Sequence, residues 1–380
     1  MTPALRIATN EELRAALEML SGSTFVALDT EFMRERTYYA GLCLIQLATP
    51  DACAIIDPLA RIDLQPLWEF LCDRSRLKVL HSGRQDLEVL SFAMAPPTTE
   101  GAVGRVPGPL FDTQVAAALL GSPAQAGYAT VVSERLGHTL PKGQTRTDWS
   151  RRPLSPEQVE YAADDVRYLV PLYQNLTAAL TARGRLDWLI EESLELEDPT
   201  LYRIDPTDAW RRLKGLDRLR PDQRAVAKLM AQWREARAMR KDKPRGWILA
   251  DESLRDIAER VPANRTELDA IPSLSANFLR KRSEEILGLI AQGRTNAATE
   301  APAMIPARPD PRLVAQVTRL LAIVREEAQR QEIAPELLAT RRDVERLVFS
   351  GRADHLLQGW RRDVIGQRLV TLAAEPAASG

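Results

Sequence analysis

The chain has few side chains that could form a disulfide framework or a zinc site. Of its 380 residues only three are cysteine and three are histidine, and Cys43, Cys53 and Cys72 form no Cys-x-x-Cys pair. Neither residue type has the spacing of zinc ligands, and an odd number of scattered cysteines is typical of buried thiols in a reducing compartment. We therefore expect a cytoplasmic protein with no zinc site at these residues.

Long apolar runs are also missing. No segment of the sequence approaches the length that a membrane-spanning helix needs. The first residues lack a basic start followed by an apolar stretch, so we expect no signal peptide. An apolar content of 45% is ordinary for a globular protein, and the length allows two or three domains.

Charge is divided unevenly along the chain, although the net charge is only -1. Residues 1–200 contain 18 Lys+Arg and 27 Asp+Glu, whereas residues 201–380 contain 33 and 25, so the halves carry -9 and +8. Residues 203–245 alone hold 14 basic and 6 acidic side chains. This division fits a metal-using catalytic domain joined to a domain that binds a polyanion, although ordinary solvated helix faces would give the same counts.

The first 200 residues alternate between strand-like and helix-like segments, which is typical of an α/β domain. We predict a helix from Glu11 to Leu20 with Asn10 as its N-cap, and a hairpin at Pro50-Asp51 that makes the early strands antiparallel. A Pro- and Gly-rich loop is expected over residues 95–109. The predicted strands are 24–33, 42–49, 52–56 and 77–81, and the later predicted helices are 85–93, 113–120, 129–136 and 156–182.

The second half of the chain has almost only helical patterns. A weak internal repeat pairs Trp233 and Trp247 of one copy with Val324 and Glu336 of the next. Between the copies, a segment rich in Ala, Pro and Thr predicts a linker. We interpret the basic helical half as an accessory that binds phosphates, although packing against the catalytic domain is the alternative.

Two acids interrupt the otherwise apolar predicted strand Phe25-Val26-Ala27-Leu28-Asp29-Thr30-Glu31-Phe32. Because side chains alternate along a strand, Asp29 and Glu31 project from one face. Paired carboxylates repel each other and are costly to desolvate, and a hard divalent cation compensates for both effects. The strand therefore predicts a metal site. The alternative is an edge strand whose acids face water or pair with Arg34 and Arg36.

Further acids occur in two later segments. Asp86 follows the strand that ends near His81 and lies in the first turn of a predicted helix, where its charge also favours the helix dipole. In the second segment, Tyr161 and Asp165 are four residues apart and share a helix face, whereas Asp164 points about 100° away. A solvated helix face is the alternative for either aspartate.

Taken together, these acids resemble the tyrosine branch of the DEDD superfamily of 3′-to-5′ exonucleases. The order is Asp-x-Glu on a strand, one Asp after a later strand, and Tyr-x-x-x-Asp on a late helix; Glu160 stands where the histidine branch has His. Within the superfamily the chain is similar to the ribonuclease D family, and the resemblance covers nearly its whole length. The similar segments are Asp29 to Tyr39, Leu44 to Leu47, His81 to Leu87 and Lys142 to Trp149, with residues 208–292 similar to the HRDC domain and 311–373 to a diverged second copy.

The resemblance implies a fold and a domain order. We expect an α/β RNase H-like exonuclease domain, with a mixed sheet and flanking helices, over residues 1–205. Two all-α HRDC-type helical domains follow at 206–293 and 310–375, joined by a linker at 294–309.

The resemblance also implies two divalent metal ions, Mg²⁺ or Mn²⁺, with Asp29, Glu31, Asp86 and Asp165 as ligands. Two such cations stabilise an in-line displacement at phosphorus. Tyr161 is expected to orient the attacking water rather than act as the base, because a free phenol has a pKa of about 10. These five residues form the expected catalytic set.

The expected function is 3′-to-5′ trimming of RNA, tRNA precursors in particular, by a cytoplasmic monomer that releases nucleoside 5′-monophosphates. A DNA exonuclease and a non-catalytic nucleic-acid-binding protein are the alternatives. Candidate substrate contacts are phosphate-binding cations and base-stacking rings. Core packing is the more common role for each such aromatic, and a structural role is an equal alternative for His81. The candidates are Phe32, Tyr38, Tyr39, His81, Lys142, Arg146, Trp149, Arg151 and Arg152.

Overall fold

The computed structural model describes residues 3–94, 104–141, 147–299 and 310–375. Lys142 and Arg146, and most of the loop predicted over 95–109, lie outside the described residues. Among the residues that are described, no helix combines the length and the apolar character that a membrane crossing needs.

A six-stranded mixed sheet forms the centre of the N-terminal domain, with strand order β1-β4-β3-β2-β5-β6. β2 lies inside the sheet, antiparallel to β3 on one side and parallel to β5 on the other. The acids of β2 are therefore not on an edge strand, and Arg34 pairs instead with Glu88 at 2.9 Å. The strands are β1 (Ala4–Ile7), β2 (Phe25–Met33), β3 (Gly41–Ala48), β4 (Cys53–Ile56), β5 (Leu77–Leu80) and β6 (Leu110–Asp112).

Helices cover both faces of this sheet. Val26 and Leu28 of β2 point into one apolar core with α1 to α3, and Ala27 points into the other, which α4 to α8 cover. Asp29 continues the Ala27 face by alternation. The helices are α1 (Asn10–Leu20), α2 (Gln65–Cys72), α3 (Arg84–Met94), α4 (Thr113–Ala118), α5 (Tyr128–Leu136), α6 (Pro156–Arg167), α7 (Leu169–Ala182) and α8 (Leu186–Glu197).

Two details of the sequence prediction were wrong in this domain. Thr9, not Asn10, is the N-cap of α1 and forms a capping box with Glu12. The single helix predicted over 156–182 is broken at Tyr168 into α6 and α7. Pro171 explains the break, because it has no N–H to donate and its ring clashes with the carbonyl of residue 167 in a continuous helix.

The remaining described chain is helical and contains two copies of one helix succession. The first copy holds α9 (Pro221–Lys241), α10 (Arg245–Ile248) and α11 (Asp251–Arg260), followed by α12 (Arg265–Asp269) and α13 (Ala276–Thr299). The second holds α14 (Pro311–Gln331), α15 (Pro335–Leu338) and α16 (Arg341–Ser350), followed by α17 (Gly359–Arg361), a π turn and α18 (Gln367–Ala374). The paired helices start at 221 and 311, 245 and 335, and 251 and 341, so the offset is 90 throughout. The sequence alignment of the repeat paired Trp233 with Val324 and Trp247 with Glu336. Each pairing was therefore wrong by one residue relative to the structural offset of 90.

The helix α13 also corrects the predicted start of the linker, since it continues through Gly293 to Thr299. A Cβ atom at Gly293 would lie 3.0 Å or less from the backbone and side chain of Val226. Gly293 therefore allows α13 to pack closely on α9 and does not end the helix. The rest of the segment predicted as linker lies outside the described residues.

The two helical copies are packed differently. Residues of the first copy form an apolar core of their own, which includes Val226, Met230 and Ile257. Val317 and Leu320 of the second copy belong instead to the same core as α4 to α8 of the N-terminal domain. The indole rings of Trp188 and Trp360 stack across this contact at 4.4 Å. The second copy thus packs against the N-terminal domain, which favours the packing alternative for that region.

Candidate metal centre

Three carboxylates converge where β2 meets α6. Oxygen atoms of Asp29, Glu31 and Asp165 all lie within 4.8 Å of one another. Asp29 and Glu31 are two residues apart on β2 and therefore share its α6-facing side, and Asp165 comes from the last turn of α6. These carboxylates repel one another when ionised, and a cation would stabilise the group.

Asp86 lies beside this group rather than in it. It comes from the first turn of α3 and is buried, and its Oδ1 accepts a hydrogen bond of 2.6 Å from the Thr30 hydroxyl. Thr30 alternates to the opposite face of β2 from Asp29 and Glu31. The charge of Asp86 still raises the pKa of Asp29 and of Glu31, so all four acids share one electrostatic environment.

Burial and mutual repulsion raise the pKa values of these acids. Desolvation is the largest cause throughout, and it raises the pKa of Glu31 to about 8, of Asp165 to about 7 and of Asp86 to about 6. The pKa of Asp29 is also raised well above its usual value, by burial and then by Asp86 and Asp165. A set of half-buried carboxylates with raised pKa values has the chemistry of a site for hard divalent cations, which ionise such groups on binding.

Tyr161 and Asp165 lie on the same face of α6. Burial, followed by the charge of Asp165, raises the phenol pKa of Tyr161 above its ordinary value. Asp164 points elsewhere and pairs with Arg167 at 3.2 Å. The adjacent aspartates therefore have different surroundings, with only Asp165 beside the β2 acids.

Other polar residues that the sequence did not single out hold this arrangement. The Tyr128 hydroxyl donates to the backbone carbonyl of Asp164 at 3.1 Å and so ties α5 to α6. Asp112 accepts hydrogen bonds from the backbone N–H groups of Ser82 and Gly83, both at 3.0 Å, in the turn that leads into α3. Ser82 has a φ of 56°, a left-handed conformation that these bonds stabilise. No local periodicity signals such contacts, because their partners are distant in sequence.

Gln46 is a further buried polar residue near the acids. It is opposite Asp29 in the β2–β3 register and is fully buried. Within the described part of the chain neither side-chain amide atom has a hydrogen-bond partner. Its position on the α6-facing side of β3 places an amide dipole beside the carboxylate group.

Most of the aromatic side chains proposed to contact substrate pack against other residues of the protein. Trp149 is 3% exposed and lies in the core beside Tyr161. Tyr38 is buried and its hydroxyl donates to Glu235, while Tyr39 packs against Phe92. Phe32 is half-buried on β2. These surroundings favour packing roles for Trp149 and Tyr38.

The remaining candidates differ in how freely they could reach a substrate. Both ring nitrogens of His81 have partners, the Thr113 hydroxyl at 2.9 Å and the Ala126 carbonyl at 3.1 Å, which favours a structural role. Arg152 is held by Asp57 and by the Cys43 carbonyl. Arg151 is 84% exposed, with a 4.0 Å contact to Asp148, and remains accessible to a phosphate.

Comparison with known proteins identifies the family of this chain. A family model described as 3'-5' exonuclease matches residues 6–181, and a model of the HRDC domain matches residues 223–290. Ribonuclease D of Acidiphilium cryptum is 41% identical over 376 residues, which cover 96% of this chain and 92% of that protein. The chain belongs to the ribonuclease D family. It is accordingly a metal-dependent 3′-to-5′ exoribonuclease.

Other members of the ribonuclease D family support the same family assignment. Ribonuclease D of Granulibacter bethesdensis is 40% identical, covering 96% of this chain and 91% of that one. The crystal structure of Escherichia coli RNase D, described as an exoribonuclease involved in structured RNA processing, superposes with a TM-score of 0.83 at 33% identity. That superposition covers 98% of each chain, so the ribonuclease D architecture extends through both helical regions.

Proposed function

We propose that this exoribonuclease trims the 3′ ends of structured RNA, tRNA precursors above all, and releases nucleoside 5′-monophosphates one at a time. The observation that carries the proposal is the convergence of Asp29, Glu31 and Asp165, with Asp86 beside them. Structured RNA as substrate is supported by the description of the E. coli relative. We also infer a monomer in the cytoplasm, which the free thiols of Cys43, Cys53 and Cys72 favour.

Two divalent ions, Mg²⁺ or Mn²⁺, fit the donor set. The four acids would hold these ions: oxygens of Asp29, Glu31 and Asp165 lie mutually within 4.8 Å, and the charge of Asp86 acts on Asp29. When bound, the ions supply positive charge that stabilises the attacking and leaving oxygens of the displacement. All four acids would then be ionised, because the cations offset the burial and repulsion that raise the pKa values in this group.

Tyr161 orients the attacking water in this proposal. It shares a face of α6 with Asp165, and its raised pKa keeps the phenol protonated at neutral pH. A protonated phenol can donate one hydrogen bond and accept another, which holds a water in a fixed direction. Tyr128 supports the same geometry by fixing α6 through the Asp164 carbonyl.

Incubation of purified protein with a 3′-extended tRNA precursor tests the proposal. We expect shortening from the 3′ end with release of nucleoside 5′-monophosphates in Mg²⁺ or Mn²⁺, and no products in EDTA. A matched DNA oligonucleotide serves as control, because sugar identity is read by contacts to the 2′-hydroxyl. Equal degradation of the DNA would contradict RNA specificity, and an untouched precursor beside degraded unstructured RNA would contradict the tRNA substrate.

A further inference from the structure

A buried amide lies in the middle of β3, on the side of the sheet that α4 to α8 cover. Gln46 follows Leu44 and precedes Ala48 on that strand at intervals of two, and both of these residues belong to the apolar core on that side. Because side chains alternate along a strand, Gln46 shares their face. Its side chain is 0% exposed, so it cannot contact a substrate directly.

The Gln46 amide differs from another buried polar group of the same sheet. Neither its nitrogen nor its oxygen has a hydrogen-bond partner among the residues that the structure describes. Lys78 on β5 is equally buried, but its ammonium is fully paired. It donates to three backbone carbonyls, those of Asp73, Arg76 and Gly108, at 2.5, 2.6 and 2.7 Å. An unpaired buried amide destabilises a fold, so the metal-free protein gains nothing from Gln46.

Asp29 is the polar neighbour of Gln46 in the sheet. The two residues are directly opposite in the antiparallel β2–β3 ladder, and the Cβ atoms of such a pair lie about 5 Å apart. On the other side of Gln46, the β4 residue in register is Ile55, which is buried in the apolar core. The residues that α6 contributes to this core are also apolar: Ala162, Ala163 and Val166. Of the two residues that flank Gln46 in the sheet, only Asp29 can therefore accept a hydrogen bond from its side chain.

The separation of the pair suits a hydrogen bond that forms when Asp29 is ionised. A carboxylate has about four lone-pair positions, and a bound cation uses only those that face it. The amide of Gln46 has two N–H donors, which can reach the remaining positions directly or through one buried water. Hydrogen bonds of this kind fix the orientation of carboxylates that bind metals.

We propose that Gln46 is a positioning residue for Asp29, whose ionised carboxylate accepts a hydrogen bond from the Gln46 amide and is thereby held in the orientation that binds a divalent cation. The proposal rests on the metal-dependent function proposed above and adds to its site a residue that touches neither the substrate nor the reacting atoms. Gln46 supplies no charge and no proton in this role. Its removal should weaken metal binding and leave the fold intact.

Gln46→Met separates this role from a structural one, because Met has nearly the same shape but no N–H donor. Two quantities are measured on the full-length protein at neutral pH: Mn²⁺ affinity by calorimetry without RNA, and the urea midpoint of unfolding in EDTA. We expect the Mn²⁺ affinity to fall roughly 10- to 100-fold. The urea midpoint should stay the same or rise, since the variant lacks the unpaired buried amide.

Ile55→Val is the matched control, because Ile55 flanks Gln46 on the side away from Asp29. Loss of one buried methyl group should lower the urea midpoint and leave the Mn²⁺ affinity unchanged. Hydrolysis of a short RNA gives a further readout. The rate of Gln46→Met should be reduced at limiting Mn²⁺ and approach that of the wild type at saturating Mn²⁺, with KM for the RNA unchanged.

Several results would overturn the proposal. Unchanged Mn²⁺ affinity of Gln46→Met would do so, and a lower urea midpoint in EDTA or a failure to fold would make Gln46 a structural residue. A wild-type protein that binds no Mn²⁺ would overturn the metal site together with this proposal. Degradation of DNA as fast as RNA would contradict only the function proposed above, since the calorimetric comparison involves no nucleic acid.

Discussion

Asp164 and Asp165 are neighbours on α6, yet their surroundings predict opposite effects of the same substitution. Asp165→Asn removes a charge from the carboxylate group and should reduce kcat roughly 10³-fold, because metal-mediated charge stabilisation amounts to several kcal/mol. Asp164→Asn disturbs a partly exposed pair with Arg167 and should leave the rate within about twofold of wild type. Single-turnover rates on a short RNA compare the two; the reverse ranking would show that Asp164 faces the metal site.

Tyr161→Phe removes only a hydroxyl. We expect kcat to fall roughly 10- to 100-fold, since a hydrogen bond to a charged group contributes about 1.5–3 kcal/mol. Mn²⁺ affinity measured by calorimetry should remain unchanged, because the four carboxylates are intact. Loss of Mn²⁺ binding in this variant would instead make Tyr161 part of the metal site.

The raised pKa values predict how stability of the metal-free protein depends on pH. Glu31, with a folded pKa of about 8, and Asp165, with about 7, both lie above the usual unfolded values near 4. The folded state therefore binds more protons, so stability is greatest at low pH within this window and falls as pH rises from about 4 to 8. Urea unfolding in EDTA should show this decline.

Two comparisons accompany that measurement. Mn²⁺ should reduce the decline, because the bound cation favours the ionised carboxylates. Glu31→Gln in EDTA should be more stable than wild type at pH 8 and less dependent on pH. Identical pH profiles with and without Mn²⁺ would mean that these acids do not bind the ion.

At the scale of elements, α17 joins the second helical copy to α8. Trp360 is 5% exposed, stacks on Trp188 and donates its indole N–H to Glu192 at 2.8 Å. We expect Trp360→Ala to lower the free energy of unfolding by about 3–5 kcal/mol, as for other large buried aromatics. Trp247→Ala is the control, with a loss of less than about 0.5 kcal/mol, since Trp247 is exposed. Equal losses, measured in urea, would contradict the burial of α17 against α8.

At the scale of the whole molecule, the second helical copy should be needed for the stability of the catalytic domain. A chain ending at residue 299 loses Val317, Leu320 and the Arg361–Glu192 ion pair, and uncovers apolar surface of α4 and α8. We expect its Tm to fall by more than about 5 °C, because several kcal/mol of burial are lost. Calorimetry of both chains measures the change, and an unchanged Tm would show that the catalytic domain is complete without this copy.

Local periodicity placed two pairs of the candidate site residues, whereas Asp86 came only from the family resemblance. Strand alternation put Asp29 and Glu31 on one face, and helical spacing put Tyr161 with Asp165, since both rules depend only on residues close in sequence. The short Pro50-Asp51 turn predicted the antiparallel β3–β4 pairing, which the structure confirms. The residue order along the chain also predicted the exonuclease family and the HRDC domain.

Tertiary structure decided the features whose causes are distant in sequence. β1 and β6 were not predicted from the sequence, and each is a strand because a neighbouring strand pairs with it. Gly293 lies inside α13, where the absence of a Cβ atom leaves room for Val226. Trp149 contacts Tyr161 and Arg152 bonds to Asp57, and no local sequence pattern predicts either contact. The two helical copies repeat one succession of helices, but whether a face is buried or open depends on what packs on it. The catalytic domain covers Leu337 and leaves Trp247 exposed, so long-range packing distinguishes them.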